Sequence, residues 1–323
     1  MSVHHWSIKL FAVSWALAAA FCFNTKALAV FIVNDTWLDG TDSDPAATVY
    51  SENGNDDDSD GNLESAWFQG GDGTLDPTAA GGPLHAAFTD PINGNSSATW
   101  TTYFTPEGDE VNLSQPGDSL KVTWVFTPTG VNTSNTSQNF RLALVDSPSA
   151  ARIVANGSPG SSTYTGYGIF ANMGQTLGNS NPFQLREHDN SGALLSGSGD
   201  WLALANGATS GNTGYASGTE YTFMATITRT ALSQLQVDVT MTGGSLDGDG
   251  SASVSFLDAT PNGGSFKFDT LAIRPSGATT TAASFNTRLF RVEAPRIVPE
   301  PATLGLLSLG GMTLLGMVKR RRS

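Results

Sequence analysis

Cysteine is almost missing: the 323 residues hold one, Cys22. It lies in an apolar N-terminal stretch behind Phe21, where a lipoprotein would place a small residue. A body without thiols has no disulfide framework, no thiolate metal site and no cysteine nucleophile. Charge is scarce too, at 14% of residues against about 25% in average proteins. Ser, Thr, Asn and Gly must therefore clothe the surface. Bases are the rarer sign, with ten Lys and Arg against 28 Asp and Glu over residues 30–298, a net charge near −18. So acidic a body repels phosphate backbones, which argues against nucleic acid and leaves divalent cations and neutral glycans. No convincing 3.6-residue apolar stripe, internal repeat or long linker interrupts residues 30–298. One large domain is the simplest account.

Both ends carry processing signals. Lys9 precedes an apolar run from Leu10 to Phe23, and Ala27-Leu28-Ala29 offers small residues where a signal peptidase reads. This predicts a secretory signal helix in residues 1–29, cut after Ala29. At the other end, Val298-Pro299-Glu300-Pro301-Ala302 precedes the 16 apolar residues Thr303–Val318 and then Lys319, Arg320, Arg321 and Arg322. The prolines hold the motif extended. The apolar stretch predicts a short transmembrane helix, against about 20 residues for a comfortable span. The basic cluster acts as the membrane stop on the cytoplasmic side.

Between the signals, residues alternate with period two. Leu235, Val237, Val239 and Met241 are interleaved with Gln236, Asp238, Thr240 and Thr242. Tyr221, Phe223, Ala225 and Ile227 alternate with Thr222, Met224, Thr226 and Thr228. Val122, Trp124 and Phe126, and Ala252, Val254 and Phe256, repeat the pattern. Further strands are predicted at 99–105, 140–146, 166–173, 183–188, 265–273 and 284–293. Turn clusters such as Gln115-Pro116-Gly117-Asp118 and Pro261-Asn262-Gly263-Gly264 separate them. The expectation is an all-β antiparallel sandwich over residues 30–295.

The string Val298-Pro299-Glu300-Pro301-Ala302 with its apolar run and arginines closely resembles the PEP-CTERM sorting signal of Gram-negative bacteria, placed here at residues 296–323. That resemblance implies export through the inner membrane, transient retention there, and removal of the signal by a membrane-embedded exosortase. The protein would then occupy the cell surface or extracellular matrix. The body, through Asn34-Asp35-Thr36-Trp37, Glu64-Ser65-Ala66-Trp67-Phe68, Gly117-Asp118-Ser119-Leu120 and Phe140-Arg141-Leu142, resembles the concanavalin A-like jelly-roll domains of such exported proteins. It implies two curved sheets, often with glycan on the concave face, and does not imply catalysis. The E-x-D-x-x-E pattern that glucanases of this fold use is absent, as are a Gln-x-His strand and a G-x-S-x-G elbow.

Two clusters are candidates for sites. Asp56-Asp57-Asp58-Ser59-Asp60-Gly61 satisfies D-x-D-x-D-G, in which alternate carboxylates turn onto one hard cation and glycine makes the bend. Position twelve of a full EF-hand is Trp67 here, and Glu64 at position nine is a partial substitute. The predicted Ca2+ ligands are thus Asp56, Asp58, Asp60 and Glu64, with a solvated acidic insert as the alternative. Gln184, Arg186 and His188 share one strand face and can grip a sugar or uronate, or simply form a solvated strand end. Trp124 reads as core, whereas Trp67 and Trp201 adjoin Gly-rich loops and are open to sugar stacking.

Together these features predict an exported, exosortase-processed, non-catalytic β-sandwich binding extracellular polysaccharide. The alternatives are a polysaccharide hydrolase or lyase with an unrecognised site, or a purely structural matrix component.

Overall fold

The structure is a computed structural model that describes residues 28–77, 84–87 and 97–296. Residues 1–27 of the predicted signal helix, the sorting motif, the C-terminal apolar segment and its basic stop lie outside the described residues, whereas Leu28 and Ala29 begin strand β1. Among those described, no helix is long and apolar enough to cross a membrane.

The described elements are strands and three short 3-10 turns. In chain order the strands are β1 (Leu28–Asp35), β2 (Trp67–Gly71), β3 (Asp76–Pro77), β4 (Leu84–Ala87), β5 (Ala98–Tyr103), β6 (Val111–Asn112), β7 (Ser119–Thr129), β8 (Ser134–Asn135), β9 (Phe140–Asp146) and β10 (Thr165–Ala171). There follow β11 (Thr176–Leu177), β12 (Phe183–His188), β13 (Trp201–Asn206), β14 (Tyr221–Ala231), β15 (Gln234–Thr242), β16 (Ser251–Asp258), β17 (Lys267–Phe268), β18 (Thr270–Pro275) and β19 (Ser284–Arg296).

Two large antiparallel sheets result. One runs β16-β15-β14-β7-β19-β4-β3, with β1 also paired to β19, and the other runs β13-β12-β10-β9-β18-β5-β2. Neighbours distant in sequence, such as β7 with β14 and β9 with β18, give the crossovers of a jelly-roll-like sandwich.

The alternation explains the packing. From the eight-stranded sheet, Val122, Trp124, Phe126, Tyr221, Phe223, Val237, Val239, Phe285 and Phe290 turn inward. They meet Trp100, Phe140, Leu142, Tyr167, Ile169, Phe183, Leu185, Leu271 and Ile273 from the seven-stranded sheet in one core. Trp124 is fully buried, stacks on Phe126 with centroids 4.1 Å apart, and donates its indole N–H to Thr287 Oγ1 at 3.0 Å. That bond offsets the cost of taking the indole N–H out of water.

The outer faces differ. On the eight-stranded sheet, Thr222, Thr226, Thr228, Gln236, Asp238 and Thr240 remain partly exposed. The outer face of the seven-stranded sheet is partly roofed. Leu194, Leu195 and Trp201 pack there over Ala143, Val145, Phe170 and Ala272, while Tyr50 packs with Phe68 and Tyr103. The strand predicted at 265–273 is divided into β17 and β18 at Asp269, whose carboxylate accepts the Ser147 N–H. β13 falls where sequence patterning predicts no strand.

Candidate functional site

The segment from Asp35 to Glu64 brings ten carboxylates together: Asp35, Asp39, Asp42, Asp44, Glu52, Asp56, Asp57, Asp58, Asp60 and Glu64. Backbone bonds hold it against the sandwich. Asn34 N–H donates to Leu63 O at 2.7 Å, Glu52 N–H to Glu64 O at 3.1 Å, and Trp67 N–H to Asp42 O at 2.8 Å. Trp67 itself is 4% exposed and packs between Trp37 and Phe290.

Within the acidic hexapeptide each alternate carboxylate spends one oxygen on a backbone N–H. Asp56 Oδ2 accepts from Gly61 at 3.0 Å, Asp58 Oδ1 from Asp60 at 3.0 Å, and Asp60 Oδ1 from Asn62 at 2.7 Å. Glu52 accepts from Asp57 N–H at 2.7 Å through Oε1 and from Glu64 N–H at 2.8 Å through Oε2. Asn62 then bridges two buried acids, donating to Glu64 Oε1 at 3.0 Å and to Asp35 Oδ1 at 3.4 Å.

Two oxygens are left over. Among the described residues, Glu64 Oε2 and Asp60 Oδ2 are buried without a hydrogen-bond partner, and Glu64 as a whole is 2% exposed. A buried, unpaired carboxylate oxygen is costly unless a cation meets it. Among the described residues, no Lys, Arg or His forms an ion pair with any of the ten acids. Burial, reinforced by Asp39, Asp60 and Asp44, pushes the Glu64 carboxyl up to about 8. Burial first, and Glu64 and Asp39 after it, also hold Asp35 well above its ordinary value.

These residues fit a hard divalent cation. One oxygen each from Asp44, Asp58 and Glu64 lie within 4.8 Å of one another, as do oxygens of Glu52, Asp56 and Asp58. Opposed ligands around calcium stand about 4.8 Å apart, given Ca–O distances near 2.4 Å. Each set therefore fits around a single ion, with Asp58 common to both. Of the predicted ligands, Asp56, Asp58 and Glu64 join these sets, and Asp60 supplies an unpaired oxygen nearby. Asp44 and Glu52 escape the sequence motif because the chain returns to it from outside the hexapeptide. The available signal is broader: no Lys or Arg occurs between Lys26 and Lys121.

The second candidate lies on the outer face of the seven-stranded sheet. Gln184, Arg186 and His188 do share one face of β12, opposite the inward Phe183 and Leu185. Gln184 is 9% exposed and donates Nε2 to Asn206 Oδ1 at 2.7 Å, while its Oε1 is buried without a partner. Arg186 is half-buried and donates to Trp201 O at 3.2 Å and to Gln138 Oε1 at 3.3 Å.

His188 is corrected. It is fully buried, with Nδ1 3.1 Å from Tyr164 O and its ring 4.8 Å from that of Trp201. Burial lowers its proton affinity, so it is a packing residue here and not a solvated ligand contact. The two tryptophans need the same correction. Trp67 and Trp201, at 4% and 3% exposed, present no free ring face for a sugar to stack on. Trp201 donates its indole N–H to Leu194 O at 2.9 Å and lies against Phe170. What this face does offer is a cavity of about 110 Å³, lined by Ser97, Thr99, Ser158, Leu195, Ser196 and Arg274 among others.

Known proteins place the chain in outline. Residues 298–322 match the PEP-CTERM protein-sorting motif. The protein thus joins a C-terminal PEP-CTERM signal to a jelly-roll-like β-sandwich. It is exported and, after exosortase-dependent processing, resides at the cell surface or outside the cell. Comparison with curated proteins returns no match. Among solved structures it is similar to the carbohydrate recognition domain of Emp47p, at 13% identity and a TM-score of 0.43, covering 85% of this chain and 99% of that one. It is also similar to peanut lectin, at 12% identity and a TM-score of 0.43 over 84% of this chain and 100% of that one. For lectin II from Ulex europaeus the identity is 10% and the TM-score 0.38, over 71% and 93% of the two chains.

Proposed function

We propose that the protein is a non-catalytic, calcium-organised β-sandwich that binds extracellular polysaccharide at the cell surface or in the matrix. Residues 30–295 are its working body, freed of residues 1–29 by signal peptidase and of the 296–323 signal by exosortase. The observation that carries this reading is the pair of unpartnered buried oxygens, Glu64 Oε2 and Asp60 Oδ2, in an acidic cluster with no cationic side chain. Calcium there would be held by Asp44, Glu52, Asp56, Asp58, Asp60 and Glu64. It would supply the positive charge that lets these acids ionise together and would set the loop's shape. The cavity and polar groups of the seven-stranded sheet's outer face favour a glycan hydroxyl surface over a flat protein partner.

Two measurements test this. Calorimetry of the exported protein with calcium should show saturable binding that Glu64→Gln abolishes, and no heat would defeat the metal assignment. A polysaccharide panel, assayed for retention and for new reducing ends or unsaturated uronates, should show retention without bond cleavage. Cleavage would replace the binding role with a hydrolase or lyase. Absence of both would leave a structural matrix component.

A further inference from the structure

Three arginines gather on the outer face of the seven-stranded sheet. Arg274 on β18 sits opposite Arg141 on β9, Arg141 opposite Phe170 on β10, and Phe170 opposite Gln184 on β12. These four positions form one row across adjacent strands, about 14 Å long at roughly 4.8 Å per strand. Arg186, two residues from Gln184, completes the group. Its guanidinium carbon lies 4.7 Å from the Phe170 ring centroid, and that of Arg141 lies at the same distance. All three side chains are half-buried, and Arg274 lines the 110 Å³ cavity.

Their grouping, more than their lack of carboxylate partners, sets them apart in this chain. Lys121, Arg152, Lys267 and Arg288 each have a carboxylate partner. Among the described residues, none of Arg141, Arg186 and Arg274 does; Arg229 and Arg291 share that lack, but they stand singly, on backbone carbonyls and on Asn34. Acids outnumber bases almost three to one in the body, so three cations grouped without one acid is a departure that needs a cause. The grouping is also unfavourable on its own. Burial, with Arg274 and Arg186 adding repulsion, lowers Arg141 to about 10.

Tethering the 195–201 loop accounts for only part of the arrangement. Arg141 donates Nη1 to Leu195 O at 2.8 Å and Nε to Gln138 O at 3.1 Å, and Arg186 reaches Trp201 O and Gln138 Oε1. Yet among the described residues Arg186 Nε is buried and donates to nothing, and Gln184 Oε1, two residues away on β12, accepts nothing. Among the described residues Arg274 donates through Nη1 alone, to Ser276 Oγ at 3.0 Å. Among the described residues it makes no hydrogen bond to that loop, and it lines the cavity.

We infer that this row is an anion subsite, in which Arg274, backed by Arg141 and Arg186, receives the carboxylate or sulfate oxygens of an acidic polysaccharide. The inference rests on the polysaccharide-binding reading above and narrows it, against the neutral glycan that net charge alone suggests. The body's overall negative charge does not forbid it. Beyond a Debye length of about 8–10 Å at physiological salt the distant acids are screened, whereas the three guanidiniums act at contact range. A planar guanidinium also matches a carboxylate with two parallel hydrogen bonds, which a lysine cannot do.

The test uses the exported protein, calcium-loaded and then desalted so that free calcium does not crosslink the polymer. Binding to polygalacturonate, dextran sulfate and neutral dextran is measured at low and at high sodium chloride. The first or second should bind and weaken with salt, and which of them binds identifies the oxyanion. Arg274→Gln should weaken that binding about tenfold or more, the loss of one charge-assisted contact, and Arg274→Lys should restore it only in part. Melting temperature with and without calcium should be the same in both variants, which keeps a folding defect distinguishable. Neutral dextran bound as well as the acidic polymers, with Arg274→Gln silent, would overturn the anion subsite and leave the polysaccharide reading standing. No retention of any of the three would overturn both.

Discussion

The Asp56 carboxylate accepts the backbone N–H of Gly61 at 3.0 Å and closes the acidic hexapeptide on itself. Gly61 has φ of +88°, a left-handed conformation that side chains with a Cβ resist, although open space surrounds the position. Gly61→Ala should therefore cost about 1–2 kcal/mol through backbone strain alone. It should also weaken calcium binding. Titration calorimetry checks the second effect, and chemical denaturation in EDTA isolates the first.

Calcium itself should raise the melting temperature, and EDTA should reverse the rise. At a free concentration 100-fold above the dissociation constant, the stabilisation is about 2.7 kcal/mol. Glu64→Gln and Asp58→Asn should each remove most of it. Gln at position 64 keeps the shape but withdraws the charge, so a variant that still responds fully to calcium would place the ion elsewhere.

Arg152 and Asp269 form an ion pair of 2.9 Å in which both side chains are almost wholly buried. Arg152 also donates to Thr105 O at 2.9 Å and lies 5.0 Å from the Tyr50 and Tyr103 ring centroids. Removing one partner strands a buried charge. Asp269→Ala should cost about 3–5 kcal/mol by urea denaturation, with the exposed Glu107 compensating little. The double variant Arg152→Met/Asp269→Leu should recover much of that loss.

Glu187 gives the body a pH dependence independent of calcium. Burial, with Asp258 nearby, pushes its carboxyl up to about 7 from an ordinary 4.5, although Asn262 N–H donates to it at 2.6 Å. In the folded chain Glu187 thus keeps a proton that the unfolded chain releases, so its contribution to stability is fullest below pH 4.5 and is lost as pH rises toward 7. Thermal melts of calcium-saturated protein should show this decline as a few degrees of melting temperature. Glu187→Gln should remove its share of the decline and leave that of Asp269, whose carboxyl burial also pushes up to about 7.

Gly168 marks where Trp201 covers the sheet. A Cβ on Gly168 would stand 2.7 Å from Trp201 Cζ3. Gly168→Ala should displace the indole and cost about 1–3 kcal/mol of overpacking. A red shift in tryptophan emission without loss of β-sheet circular dichroism checks it.

Much of the sandwich was legible because period-two alternation is written directly into residues such as Leu235, Val237, Val239 and Met241. The 140–146 and 183–188 strands coincide with β9 and β12 for that reason. Alternation says which side chains share a face but not what covers that face, and there the tryptophans misled. Trp201 looked free because Gly197 and Gly199 precede it, yet Leu194 and Leu195 from the same loop fold back over it. The metal candidate was half legible. D-x-D-x-D-G is local and therefore visible, whereas Asp44 and Glu52 arrive by tertiary folding. The arginine row was invisible apart from Arg186, since Arg141 and Arg274 lie 133 positions apart in sequence and become neighbours only through the β9–β18 pairing.

That β19 lies inside its sheet, paired with β7 on one edge and with β4 and β1 on the other, has a consequence for secretion. It is the last of the described strands to be synthesised, so until it emerges β7 has an open flank and the large sheet stays in pieces. The two parts of the large sheet therefore cannot join until β19 has been exported, so closure of the sandwich comes late in secretion.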